Sequence, residues 1–139
     1  MLKNKCNHHK ILEALGKSGH GNKVLIADGN YPIMTNAYDK SEKIYLGISP
    51  DLPTVPDVLK SILTVINVER IEVMEPGDEE PEIFDEFRSI TGVESLIGYD
   101  RHDFYSLCQE EAITLVINTG ETGTFSNILL TIGVSSQNI

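Results

Sequence analysis

The spacing of apolar residues changes period several times along the chain, and each change marks an element. Residues 8–18 (HHKILEALGKS) put Ile11, Leu12 and Leu15 on one helical face, with Asn7 placed to cap its start and Gly19 to stop it. Val24, Leu25, Ile26 and Ala27 run without a polar break, which predicts a buried strand over 23–28. A turn-rich stretch, 29–42, leads to a short strand over 43–46. After the loop GISPDLPT, Pro56 stands where a helix begins, and VPDVLKSILTVI brings Val58, Leu59, Ile62, Leu63 and Ile66 to one side. VERIEVMEP reads as a strand and EIFDEFRSI as a helix over about 82–90. Leu96 and Ile97 then mark a short strand, and HDFYSLCQEEA another helix. Two strands, ITLVI and NILLTIG, close the chain across NTGETGTFS. Strands alternating with helices predict a layered α/β domain, with the closing pair added at an edge of its sheet.

Composition narrows the partners. At 139 residues the chain fits one domain with one core. Eleven Lys plus Arg stand against 21 Asp plus Glu, and the formal charge of −10 repels phosphate backbones and anionic lipid. No nucleic acid and no membrane partner is expected. Cys6 and Cys108 lie far apart with no metal-type spacing, and two cysteines make no disulfide framework in a chain of this size. MLKNKCNHHK lacks the apolar core of a signal peptide, and no apolar run reaches membrane-spanning length. The expectation is a soluble cytoplasmic protein.

The stretch GKSGHGNKVLIADGN carries the first candidate chemistry. Asp28 falls at the C-terminal end of the predicted strand, where open α/β sheets carry their sites, and His20 is flanked by two glycines that leave its backbone open to a ligand. Each has a bland counterpart: His20 as a loop residue, Asp28 as ordinary Asp-Gly-Asn turn chemistry. The loop TGETGTFSN lacks the lysine and spacing of a nucleotide phosphate loop and carries Glu121, so that reading is rejected. A backbone-rich turn gripping hydroxyl groups remains, with Asn127 offering an acceptor and two donors. Arg101 and His102 stand before a helix start, which by itself reads as a solvated cap. Adjacent His8 and His9 point apart in this reading and no metal site is expected.

Several separated stretches together resemble the D-ribose pyranase and L-fucose mutarotase family of small sugar mutarotases. They are MLK at the start, ILEALGKSGHG running into a strand and Ala-Asp, R-x-x-F-Y at Arg101 to Tyr105, and TGETGTFSNILLTIGV at the end. The resemblance implies a single three-layer α/β/α domain over residues 1–139 with a mostly parallel or mixed central sheet. It further implies His20 as proton donor, and Asp28, Arg101, Phe125, Ser126 and Asn127 as sugar contacts, with Asp28 also serving the chemistry. No cofactor is implied. Two positions set this chain apart. The family usually carries Tyr where Phe125 stands, and the position matched to Arg101 is Arg in the fucose branch and His in the ribose branch, with His102 here immediately beside it.

The residue types suit mutarotation, which opens and recloses a cyclic hemiacetal. One proton goes to the ring oxygen and one leaves the anomeric hydroxyl, an exchange for which imidazole titrates in the right range. The expected activity is anomer exchange of L-fucose, with pyranose–furanose exchange of D-ribose or non-catalytic sugar binding linked to uptake as alternatives. A flavodoxin-like nucleotide binder is disfavoured for want of a phosphate loop. If 23–28 is extended at about 3.3 Å per residue, His20 and Asp28 lie near opposite ends of one strand. Each site is therefore expected to join His20 of one subunit with Asp28, Arg101 and Asn127 of another, in the ring-shaped homo-oligomer, a decamer, that the resemblance implies.

Overall fold

The apolar runs assemble into a six-stranded sheet in a computed structural model, which describes residues 1–136. In chain order the strands are β1 (Lys23–Ala27), β2 (Glu42–Tyr45), β3 (Val68–Met74), β4 (Leu96–Tyr99), β5 (Ile113–Asn118) and β6 (Ile128–Ile132). Their spatial order is β2-β5-β1-β6-β3-β4. Neighbours run parallel except at β6, which runs against both β1 and β3, so the sheet is mixed.

The closing strands do not sit at an edge as expected. β5 and β6 flank β1, and β2 and β4 form the edges. Burial explains the placement: all five residues of β6 and four of the six in β5 are buried. Strands that are apolar on both faces need cover on both, which only interior positions provide. The connection between them must consequently pass over the end of β1.

Helices cover both faces and give the three layers. α1 (His9–Lys17), α2 (Val55–Ile62) and α3 (Glu82–Thr91) bring Leu15, Leu59 and Phe87 into one core cluster with Ile26, Ile71 and Leu115. α4 (Arg101–Leu107) lies on the opposite face, where Phe104 packs with Tyr31 and Ile33 over Leu25, Val116 and Leu129. No helix among the described residues is long and apolar enough to cross a membrane.

Local chemistry shifts several helix ends. His8 rather than Asn7 caps α1, its Nδ1 accepting from the Ile11 amide at 3.4 Å, and Ser18 rather than Gly19 closes it. The His8 and His9 rings do not point apart; they stack with planes 1° apart. Thr54 and Asp57 form a capping box around Pro56 at the start of α2. That helix ends four residues before the expected 66, where the Thr64 hydroxyl donates to the Ser61 carbonyl at 2.7 Å and the chain turns. α4 begins at Arg101 under an Asp100 cap and ends at Leu107, short of the expected 112.

One charge is buried in the sheet. Glu72 of β3 is 1% exposed, accepting from Lys23 Nζ at 2.9 Å and from the Tyr99 hydroxyl at 2.7 Å. Burial alone would raise its carboxyl; these hydrogen bonds and the nearby Lys23 and Arg70 charges outweigh burial and bring it below the usual value.

Candidate active site

Asp28 follows directly on β1 and ties three chain segments together. Its Oδ1 accepts from the Asn30 amide at 3.0 Å and its Oδ2 from the Ser126 amide at 3.3 Å. Its own amide donates to Asn127 Oδ1 at 2.7 Å. The connection from β5 to β6 crosses here because β1 lies between those strands, and the Thr119 hydroxyl pins it by donating to the Ala27 carbonyl at 2.8 Å. Phe125 takes a left-handed backbone, φ 56°, which a non-glycine residue rarely adopts. The bonds of Ser126 and Asn127 to Asp28 hold the chain beside it.

A cleft of about 270 Å³ opens beside this junction. Asp28, Arg101, Phe125 and Asn127 line it together, with Met74 and Tyr105 forming part of its wall. Arg101 enters from the first turn of α4, and Tyr105 follows one turn later on the same face. His102 is not among the lining residues. Tyr31 also reaches the cleft, its ring edge-on to Tyr105 at 5.3 Å and its hydroxyl donating to the Asn36 carbonyl at 2.7 Å. Ser126 contributes its amide rather than its hydroxyl: the hydroxyl donates to the Thr124 carbonyl at 3.4 Å, and Ser126 lines a separate hollow with Asp51 and Glu121. Met74, Tyr31 and Tyr105 carried no functional signal alone, though Tyr105 stands within the Arg101 motif.

The electrostatics of Asp28 follow from its position. Burial pushes its carboxyl above the usual aspartate value, against the amide hydrogen bonds from Ser126, Asn30 and Tyr31. The folded state thus holds this proton more tightly than the unfolded chain. The contribution to stability is full below the unfolded value, about 3.9, and is lost as pH rises through the folded value. Wild-type stability relative to Asp28→Asn is expected to increase as pH falls from about 7 to about 4, measured by urea unfolding. A difference constant across that range would contradict the raised carboxyl. Each carboxylate oxygen keeps a lone pair after its amide bond, so the ionised group can still accept from a ligand hydroxyl.

His20 lies elsewhere. It sits in the turn before β1, and the whole five-residue strand separates it from Asp28. Gly21 has φ 88°, a backbone that favours glycine, and its amide donates to the Ile132 carbonyl at 3.0 Å. Asn22 Oδ1 accepts from the Gly19 amide at 2.8 Å and closes the turn. His20 borders a hollow of about 550 Å³ with the turn at Leu63 to Asn67 and the segment from Ile132 to Ser135. The fold therefore gathers Asp28, Arg101, Phe125 and Asn127 at one cleft and leaves His20 at the other end of β1.

Comparisons with known proteins agree with this architecture. The sequence model of the RbsD / FucU transport protein family matches residues 1–135. The D-ribose pyranase of Coprothermobacter proteolyticus is 30% identical over 126 residues, covering 90% of this chain and 92% of its own. That of Clostridium tetani is 27% identical over 128 residues, covering 91% and 93%. Among solved structures, the fucose mutarotase of Streptococcus pneumoniae in complex with L-fucose superposes with a TM-score of 0.77 at 27% identity, covering 93% of this chain and 94% of its own. RbsD of Bacillus subtilis complexed with D-ribose shares the fold, with a TM-score of 0.82 at 23% identity over 98% and 100% of the two chains. Matched in this way along nearly its whole length, the chain is an enzyme of the isomerase class and belongs to the RbsD / FucU transport protein family.

Proposed function

We propose that this enzyme is a cytoplasmic sugar mutarotase acting on L-fucose, with each site shared between two subunits of a ring-shaped homo-oligomer, a decamer. The observation that carries this reading is the convergence of Asp28, Arg101, Phe125 and Asn127 on one small cleft from separate parts of the chain. Its volume lies just below the roughly 300–1,000 Å³ of sites for drug-sized ligands, in keeping with a monosaccharide. Arg101 presents a planar fork of donors to sugar oxygens, and Asn127 and Asp28 flank it with an amide and an acceptor. Phe125 and Met74 give an apolar wall for a deoxysugar face.

The acid–base step falls to His20 from a neighbouring copy. It delivers a proton to the ring oxygen as the anomeric hydroxyl gives one to the Asp28 carboxylate, opening the hemiacetal; closure on either carbonyl face reverses both transfers. Proton transfer suffices for this isomerisation. Arg101 rather than His102 lines the cleft, which favours the fucose reading over the ribose one. The second reading, pyranose–furanose exchange of D-ribose, is favoured by relatives named D-ribose pyranase.

Magnetisation-exchange NMR on the anomeric protons of both sugars, with catalytic amounts of protein, decides between them. Faster α/β exchange in L-fucose is the expected result. Acceleration confined to the pyranose–furanose forms of D-ribose selects the second reading. No acceleration of either sugar by folded, assembled protein overturns both and leaves sugar binding without turnover.

A further inference from the structure

The proposed proton donor has a partner that no sequence motif points to. Both oxygens of Glu69 lie 3.0 Å from His20 Nε2. The two residues are 49 positions apart and belong to elements separated by β6. Their approach is built by two irregularities. On the His20 side, Gly21 with its positive φ ties the turn to the Ile132 carbonyl of β6. On the Glu69 side, the ladder steps from Val68–Ile132 to Arg70–Thr131, so Glu69 is the extra residue of a β-bulge.

The bulge decides where the neighbouring charges go. Val68 and Ile71 keep to the core face, while Arg70 lies 3.5 Å from the Glu72 carboxylate on the other. Glu69 is released from the alternation and directed to His20, with which it forms its one ion pair among the described residues. Bulges are a recurrent way to re-aim a side chain beside an active site. The bond is also informative about the proton. A carboxylate only accepts, so a neutral His20 must carry its hydrogen on Nε2 and leave Nδ1 bare.

We infer that Glu69 is a positioning residue, fixing the His20 ring with Nε2 protonated so that Nδ1 exchanges the proton with the sugar. The inference rests on the reading of His20 as proton donor given above. Protonated at Nδ1, the ring is a donor with Glu69 as its counter-charge. After the transfer it is neutral, still held through Nε2–H, and ready to take the proton back. Without the carboxylate the neutral ring divides between two tautomers and is free to turn, and one of these tautomers offers the wrong nitrogen state at the reacting position.

The test combines a ring measurement with a rate measurement. Nitrogen-15 NMR of His20 at about pH 8.5, well above the ordinary imidazole value of about 6.5, reads the neutral tautomer directly. The wild type is expected to show Nε2–H, and Glu69→Ala a mixture. In the fucose exchange assay Glu69→Ala is expected to lower kcat roughly ten- to a hundredfold with KM little changed. Glu69→Gln, whose amide oxygen also accepts from Nε2–H, should keep the tautomer and recover part of the rate. An unchanged tautomer in Glu69→Ala, or a changed tautomer with unchanged kcat, overturns the inference. If the wild type exchanges no sugar, the reading of function fails instead, and the tautomer comparison still decides whether Glu69 sets the ring.

Discussion

Replacing His20 by alanine is expected to slow sugar anomer exchange about a hundred- to ten-thousandfold while leaving sugar binding largely intact. The split follows from the layout. The groups that grip sugar hydroxyls, Asp28, Arg101 and Asn127, line the cleft beyond β1, and His20 lies before it. Asp28→Ala should abolish exchange and weaken binding as well, because it removes the acceptor at the cleft and releases the amides of Asn30 and Ser126. Two inactive proteins then complement each other. In an equimolar mixed assembly, roughly a quarter of the interfaces join an intact His20 to an intact Asp28 cleft, so about that share of wild-type activity should return. The measurement is exchange NMR after co-refolding, with mixing confirmed by native mass spectrometry. No recovery from well-mixed assemblies would place His20 and Asp28 at separate sites and sink the shared-site reading.

Phe104→Ala is expected to cost about 3–5 kcal/mol of unfolding free energy, among the largest single losses in the chain. Phe104 is fully buried, and its ring meets Tyr31 edge-on with centroids 6.2 Å apart. It is also the one buried residue of α4, the helix that carries Arg101 and Tyr105 to the cleft. Truncation removes the anchor that sets the height and tilt of that helix over the sheet. Sugar affinity should therefore fall even in molecules that remain folded, whereas the His20–Glu69 contact, built on the turn before β1 and on β3, should survive. Urea unfolding gives the stability change and titration with sugar gives the affinity. A loss below about 1 kcal/mol, or unchanged affinity in the folded variant, would show that α4 is held by other contacts.

The sequence carried those parts of the fold that depend on short-range pattern. Val24 to Ala27 form an uninterrupted apolar run with Asp28 at its end, so local pattern alone places half of the site. Arg101 and Tyr105 share a helix face by their spacing. The place of β6 was not legible, because local alternation says nothing about which strands lie alongside. Only the burial of all five residues separates an interior strand from an edge strand, and that burial is a tertiary outcome. Glu69 was hidden for the same reason: a bulge exists only relative to the register of its partner strand. Phe125 in a left-handed backbone and the His8 cap run against residue preference, and long-range bonds to Asp28 or a particular ring orientation accompany them.

The position of β6 bears on how the chain reaches its native state. β2, β5 and β1 form one group of paired strands and β3 and β4 another, and β6 is the strand through which the two pair. It is also the last strand in chain order among the described residues. During synthesis both groups are made before the element that joins them, and each presents an unpaired strand edge, that of β1 apolar along most of its length, until residues 128–132 arrive. Assembly of the sheet thus waits for residues 128–132, with contacts of high sequence separation that slow folding. The nascent chain is consequently most exposed to mispairing with its neighbours just before β6 closes the gap.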